Sequence, residues 1–259
     1  FEPTAVIYLA RGNLWEQAMA LLHLAMGARH SKKYEKALLY YEESLKVFRE
    51  MDDAFELGIV YGEISYLFFN QGDFEKARRM HEQGLVYHKR LRFQFGVSES
   101  LIFLGGICRI DGDYAQAETL LEEASSIRRE YNLLDNNSPF YLGCVKMHRR
   151  DYAAAKICFM ESVRINQRLS LHVQIGEGFV GLAAVAAWLE QCQRAARRGG
   201  ASKAIHESIS YTMPPSDLLE IDPLLQNARE QLGEAAFEAF ANEGRAMRME
   251  RAIEYALKE

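Results

Sequence analysis

The sequence predicts an all-α protein, a right-handed α-solenoid of about five hairpins closed by a helical cap at its C-terminal end. Three observations carry that expectation. A short turn pattern recurs at near-constant spacing, and the segments between turns place apolar residues at helical rather than alternating intervals. No proline occurs between Pro3 and Pro139, a span that a sandwich or barrel would not cross without edge and turn prolines.

The turn reads Lys33-Tyr34-Glu35-Lys36-Ala37, Gly72-Asp73-Phe74-Glu75-Lys76-Ala77, Gly112-Asp113-Tyr114-Ala115-Gln116-Ala117 and Arg150-Asp151-Tyr152-Ala153-Ala154-Ala155, with a degenerate copy ending at Ala195. The five alanines stand 40, 40, 38 and 40 residues apart, so each copy has room for one helix before the turn and one after. In the second copy Tyr61, Ile64, Leu67 and Phe68 recur at helical spacing before the turn, and Ala77, Met80, Gly84 and Leu85 after it. Alanine lets the two helices cross closely, Gly-Asp ends one helix and caps the next, and the aromatic plugs the hairpin. One hairpin cannot bury its apolar face alone, so neighbours are expected to stack.

The small and aromatic residues around Leu104-Gly105, Leu142-Gly143, Gly-Asp-Tyr and the following Ala resemble the tetratricopeptide repeat, whose usual period is about 34 residues. The longer period here resembles the extended repeats of large signalling proteins, with the added residues expected in loops such as Met51-Asp52-Asp53 and Leu133-Leu134-Asp135-Asn136. Three regions follow: a remnant of a preceding repeat over 1–13, with Thr4 to Arg11 as its second helix; a solenoid over 14–210; and capping helices over 211–259. Because Gly12-Asn13-Leu14-Trp15 matches an inter-repeat loop and no initiator Met is present, the chain is expected to start in mid-solenoid, with more protein upstream.

The C-terminal end carries a second resemblance. Arg194-Ala195-Ala196-Arg197, Gly200-Ala201, Pro214-Pro215, Leu232-Gly233-Glu234 with Phe237, and Gly244-Arg245 with Met247, Glu250, Ala252, Ile253, Ala256 and Leu257 are similar to the ending of bacterial STAND-type regulators. Those proteins join an NB-ARC or NACHT nucleotide-binding core and an effector to a tetratricopeptide sensor. The resemblance therefore implies that this chain senses a signal and controls an ATPase and effector region of the same polypeptide. Cys192 and the Arg198-Gly199 pair depart from the proline and two leucines of that family.

Composition narrows the chemistry. With 31 Lys plus Arg against 36 Asp plus Glu, the net charge is −5, which argues against a phosphate-binding face and hence against nucleic-acid partners. No apolar run approaches the ~18 residues of a membrane span and no signal peptide is legible, so no membrane partner and a cytoplasmic location are expected. Cys108, Cys144, Cys158 and Cys192 lack metal-site spacing and read as reduced thiols. There is no GxxxxGK[ST] loop and no nucleophile–base constellation, so no catalytic residue, metal or cofactor is assigned and the chain is expected to act by binding. His81 and His88 read as an exposed pair on a polar helix side, Glu42-Glu43 and Glu122-Glu123 as solvated carboxylates, and Arg194, Arg197 and Arg198 as a solvated helix end.

The tetratricopeptide resemblance implies a concave groove lined by the first helices. Counting back from each turn alanine puts Met26, Arg29 and His30, then Tyr66, Phe69 and Asn70, then Ile102, Arg109 and Ile110, then Phe140, Met147 and His148, and lastly Val180 and Trp188 on that side. Aromatic, Met and Arg side chains are the types enriched at binding hot spots. The expectation is a protein or peptide ligand held by Tyr66, Phe69, Phe140, Met147 and Trp188, with Arg29 and Arg109 orienting an acidic group. The Lys and Asn clamp of chaperone-binding repeats is absent, its positions being Leu22, Met26, Gly62 and Tyr66. A stand-alone scaffold for protein assembly is the alternative to a sensor.

Overall fold

The structure is a computed structural model that describes residues 13–258. The expected remnant helix over Thr4 to Arg11 lies outside the described residues. Six helices of 17 residues each follow one another: α1 (Leu14–His30), α2 (Tyr34–Glu50), α3 (Ala54–Asn70), α4 (Phe74–Arg90), α5 (Gln94–Ile110) and α6 (Tyr114–Glu130). Then come α7 (Ser138–His148), α8 (Tyr152–Leu169), α9 (His172–Trp188) and α10 (Cys192–Ser208). A short 3₁₀ helix, Pro215–Asp217, leads to α11 (Asp222–Leu232), α12 (Glu234–Arg245) and α13 (Met249–Leu257). No strand occurs among the described residues, and the fold is an all-α array of helical hairpins with a C-terminal helical cap.

One turn design explains the regularity. Each hairpin helix ends in a residue of positive φ: Lys32, Asp52, Gly72, Arg92, Gly112, Asn132, Arg150, Ser170, Glu190 and Ser210, with φ between 50 and 83°. The amide after it bonds back to a carbonyl five residues earlier, as in Asp53 N to Phe48 O (3.0 Å), Asp73 N to Phe68 O (3.0 Å) and Asp113 N to Cys108 O (2.8 Å). That is the six-to-one bond of a Schellman motif, which satisfies a carbonyl the helix end would leave open. The same residue then caps the next helix: the carboxylates of Asp53, Asp73, Asp113 and Asp151 accept from the amides of Glu56, Lys76, Gln116 and Ala154 at 3.0–3.2 Å. Stop and start share one residue, so three residues suffice to reverse the chain.

The extra length of the repeat therefore lies elsewhere than expected. Met51-Asp52-Asp53 is one of these three-residue turns, and the 40-residue period is two helices of 17 plus two turns of three. With such turns a period of about 34 would leave about 14 residues per helix, so the added residues are helical. Residues 131–137 do form a longer connection, but α7 after it has only 11 residues, and seven plus 11 in place of three plus 17 gives the 38-residue spacing. This connection is tied down by Arg128 Nη1 on the Leu134 carbonyl and by Asn166 Nδ2 on the Asn136 carbonyl (3.0 Å).

The chain forms two compact units, the first ending at Ile107 within α5 and the second running from Cys108 to Glu259. In the first, α1 packs on α2, α2 on α3 and α3 on α4, around Ala18, Leu22, Ala37, Tyr41, Phe48, Leu57, Ile64 and Leu67. In the second, α6 to α10 pack in succession, and Phe159 of α8 fills a slot floored by Gly143 and Gly181, where any Cβ would overlap its ring. The cap shares this unit: a Cβ on Gly200 or Gly244 would overlap the backbone of Ala241 or Arg197, so α10 and α12 cross in backbone contact.

Two expectations about polar residues are corrected. His81 and His88 are buried, because their spacing continues the stripe of Ala77 and Gly84 that faces the core. His81, 5% exposed, stacks on Phe103 with centroids 4.2 Å apart, and burial followed by the nearby His88 pulls its imidazole down to about 3. His88 sits between Gly58 and Gly96 with Nδ1 3.3 Å from Ser100 Oγ, and burial lowers its imidazole as well. Arg198, at 3% exposure, is no solvated helix end: it donates to the carbonyls of Leu182 (3.1 Å) and Ala256 (2.6 Å). Beside it Arg194 donates to the Lys258 carbonyl, so these two arginines close the C-terminus of α13, while Arg197 pairs with Glu243 of α12 at 2.7 Å.

These observations make two predictions. Gly112→Val, which forces a β-branched residue to positive φ, should lower stability by about 1–2 kcal/mol, whereas Arg92→Gly should raise it by roughly 0.5 kcal/mol after the larger unfolded-state entropy of glycine is subtracted. Urea denaturation reads both, and a neutral Gly112→Val would contradict the turn assignment. Because His81 takes up its proton only near pH 3 when folded but near 6.5 when unfolded, its contribution is present above pH 6.5 and is lost as pH falls. The unfolding free energy should therefore drop by about 1 kcal/mol per pH unit more steeply than in His81→Leu, which borrows the residue found at the equivalent Leu121. Parallel pH profiles for the two proteins would refute it.

Candidate functional site on the first helices

The residues singled out by sequence lie on α1, α3, α5, α7 and α9, most of them in the second half of the helix, with Ile102 and Val180 in mid-helix and Phe140 in the first turn of α7. In the repeat register, counted at 40 or 38 residues, Arg29, Phe69, Arg109 and Met147 are equivalent positions, as are His30, Asn70, Ile110, His148 and Trp188.

In the first unit several of these residues meet. Arg29 Nη2 pairs with Glu63 Oε2 at 3.0 Å, and Tyr41 joins both, its hydroxyl 3.4 Å from Arg29 Nε and 3.2 Å from the same carboxylate oxygen. The Arg29 guanidinium lies 5.9 Å from the Tyr66 ring. Tyr66, 37% exposed, meets Phe103 edge-on at 4.9 Å, and Phe69 meets Phe103 at 5.5 Å and Phe74 at 5.3 Å. His30 and Asn70 are exposed, Met26 is half-buried against the unit's core, and Ile102 is buried. The outcome is a half-exposed aromatic ledge with an internally neutralised ion pair at its edge.

In the second unit the predicted positions divide. Phe140, Met147 and Val180 are buried in one core with Met213 and Ile221, from the segment that follows the last repeat. Arg109 is 0% exposed. Its Nη1 donates to Glu220 Oε2 (2.7 Å), and its Nη2 to Asp217 Oδ1 (2.9 Å) and to the Ser216 carbonyl (2.7 Å). The acidic group expected from a ligand is thus supplied by the chain itself. Tyr114 adds a hydroxyl bond to Glu220 Oε1 (3.2 Å), and Tyr211 one to Glu177 Oε1 (3.2 Å). Burial, then the charge of Asp217, pushes the Glu177 carboxyl up to about 7.

The exposed members of this unit are His148 and Trp188. His148 stacks on Tyr114 at 3.4 Å, and Trp188, 47% exposed, stacks on Tyr152 at 4.0 Å. In both pairs the hairpin aromatic packs on the next repeat rather than plugging its own turn.

Glu63, Phe103, Asp217 and Glu220 are the participants that the sequence reading missed. Glu63 and Phe103 are one position beyond Gly62 and Ile102 in the same repeat register, a signal available in the spacing. Asp217 and Glu220 are more than a hundred residues from Arg109 and carry no local signal. Among the described residues there is no cluster of three or more metal-ligating side chains, and no helix is long and apolar enough to cross a membrane.

Comparison with known proteins agrees with this geometry at the level of the fold. Residues 16–87, covering α1 to α4 almost completely, match the model of the tetratricopeptide repeat family. The crystal structure of BtubC (BKLC) from P. vanneervenii is similar, with a TM-score of 0.63 at 19% identity over 78% of this chain and 84% of that one. The apo form of RapI is similar too, with a TM-score of 0.60 at 14% identity over 86% of this chain and 66% of that one. No curated protein matches the sequence. The family match thus covers the first two hairpins, and the two solved structures agree with an all-α array of helical hairpins.

Proposed function

We propose that the chain binds a protein or peptide segment on the first-helix side of its hairpins, and that it does so as the sensor of a STAND-type signalling ATPase. The observation that carries the binding reading is the exposure of large aromatic rings where a partner would lie, Tyr66 on the ledge of the first unit and Trp188 on its Tyr152 platform in the second. Trp188 is held by its stack on Tyr152 and Tyr66 by Phe103, His81 and Arg29 around it, so a partner gains contact area on the exposed part of each ring without first ordering the side chain. Arg29 and Glu63 at the ledge offer a donor and an acceptor in fixed geometry. Burying one such aromatic contributes on the order of 2 kcal/mol, and a few anchors suffice for micromolar binding after association costs.

The sensor reading rests on the succession of residues from Arg194 to Leu257 that resembles the ending of STAND regulators. A ligand that fits one arrangement of the repeats would bias the upstream ATPase by its differential affinity. In this reading the nucleotide-binding and effector regions of the same polypeptide are its other partners.

Peptides selected from a random library for binding to the folded chain should lose at least about a hundredfold in affinity with Tyr66→Ala/Trp188→Ala, and change little with Glu43→Ala/Arg79→Ala on exposed second-helix positions. Equal effects of the two double variants would reject the site. A phosphate-binding loop encoded upstream of Phe1, together with loss of signalling by the aromatic variant of the full-length product, is the outcome expected of a sensor. An intact response by that variant would contradict it.

A further inference from the structure

We propose that the first-helix side of the second unit is an acidic-peptide site anchored by Arg109, filled in the resting protein by the chain's own Tyr211–Ile221 segment and open to a partner segment of the same chemistry. The proposal rests on the partner-binding reading above and names the ligand class for this unit. Arg109 occupies the same repeat register as Arg29, Phe69 and Met147, so it belongs to the side on which a partner is expected. Its ligands, however, come from outside the repeats.

The segment is held as a bound peptide is held. Pro214 is extended (φ −60°, ψ 142°), and the only helical residues between Ser208 and Asp222 are the three of Pro215–Asp217. Attachment is by side chains: two carboxylates three residues apart, Asp217 and Glu220, grip one guanidinium, whose Nη2 also takes the Ser216 carbonyl. Met213 and Ile221 plug the core beside Phe140, Met147 and Val180 on either side of that grip. An acidic pair flanked by aliphatic side chains is therefore the pattern that this surface recognises.

The arrangement also has a built-in weakness. Glu177, which accepts from the Tyr211 hydroxyl, is pushed towards its neutral form by burial and then by the charge of Asp217. Arg109 Nε finds no acceptor among the described residues. Release of the segment relieves the first, and a competing segment with a further acceptor would satisfy the second.

The test uses the full chain and a fluorescein-labelled synthetic peptide of residues 211–222, read by anisotropy. Asp217→Asn/Glu220→Gln removes the internal competitor's charges and should bind the peptide at least about tenfold more tightly than the wild type does. Adding Arg109→Met should abolish that binding, and a peptide carrying Asn and Gln in place of its two acids should not bind. A folded Asp217→Asn/Glu220→Gln protein that takes up no peptide, or that takes both peptides equally, overturns the proposal.

Should that variant fail to fold, amide exchange of the wild type decides. The amides of Leu218 and Ile221 should exchange by local opening, at least about tenfold faster than that of Phe179 in α9. Equal rates would make the segment a fixed part of the core and end the proposal. Neither Tyr66 nor Trp188 takes part, so failure here leaves the aromatic-anchor test independent.

Discussion

The rest of the structure depends on one constraint, a three-residue turn in which a single residue both ends one helix and begins the next. Among the described residues ten hairpin turns each carry a residue of positive φ, and the amide after it returns to the helix behind. Where that following residue is aspartate, its carboxylate also caps the helix ahead. A helix of 17 residues between such turns makes roughly 4.7 turns, and two such helices with two three-residue turns keep the register at 40 residues.

Much of that arrangement was legible in the sequence. The spacing of Ala37, Ala77, Ala117, Ala155 and Ala195 is the period of the turns themselves, and Asp73 and Asp113 announce both the turn and the cap. Other parts had no signal. Lys32, Asp52 and Arg92 adopt the positive φ that Gly72 and Gly112 adopt more readily, and nothing in a Lys, Asp or Arg marks it. The added length of the repeat lies in the helices and not in the loops where the sequence suggests it, since composition alone does not distinguish a long helix with a tight turn from a short helix with a long one. His81 was read as solvated from its polar neighbours, when the stripe of Ala77, Gly84 and His88 placed it inward.

The same contrast applies to the candidate site. Register placed Arg29, Tyr66, Phe69, Arg109 and Trp188 on one side of the hairpins, but register says nothing about what covers them. Arg29 and Arg109 already hold carboxylates, Glu63 in one unit and Asp217 with Glu220 in the other. In the second set Arg109 is fully buried, where a charge is tolerated only when paired. A buried arginine at a surface-facing repeat position therefore points to an occupant, and here the occupant is the chain's own continuation past the last repeat. Tyr66, which meets Phe103 edge-on, and Trp188, which stacks on Tyr152, remain partly exposed.

The central claim is that the shared turn residue organises the repeats, and amide hydrogen exchange at those turns tests it most directly. The amides of Asp53, Asp73, Phe93, Asp113, Asp151 and Leu171 lie in two- or three-residue connections, yet each is bonded to a carbonyl of the preceding helix. They should be protected to nearly the same free energy as the helix interiors flanking them. Exchange of these amides at the rate of open surface loops, with the helices on both sides still protected, would contradict the account.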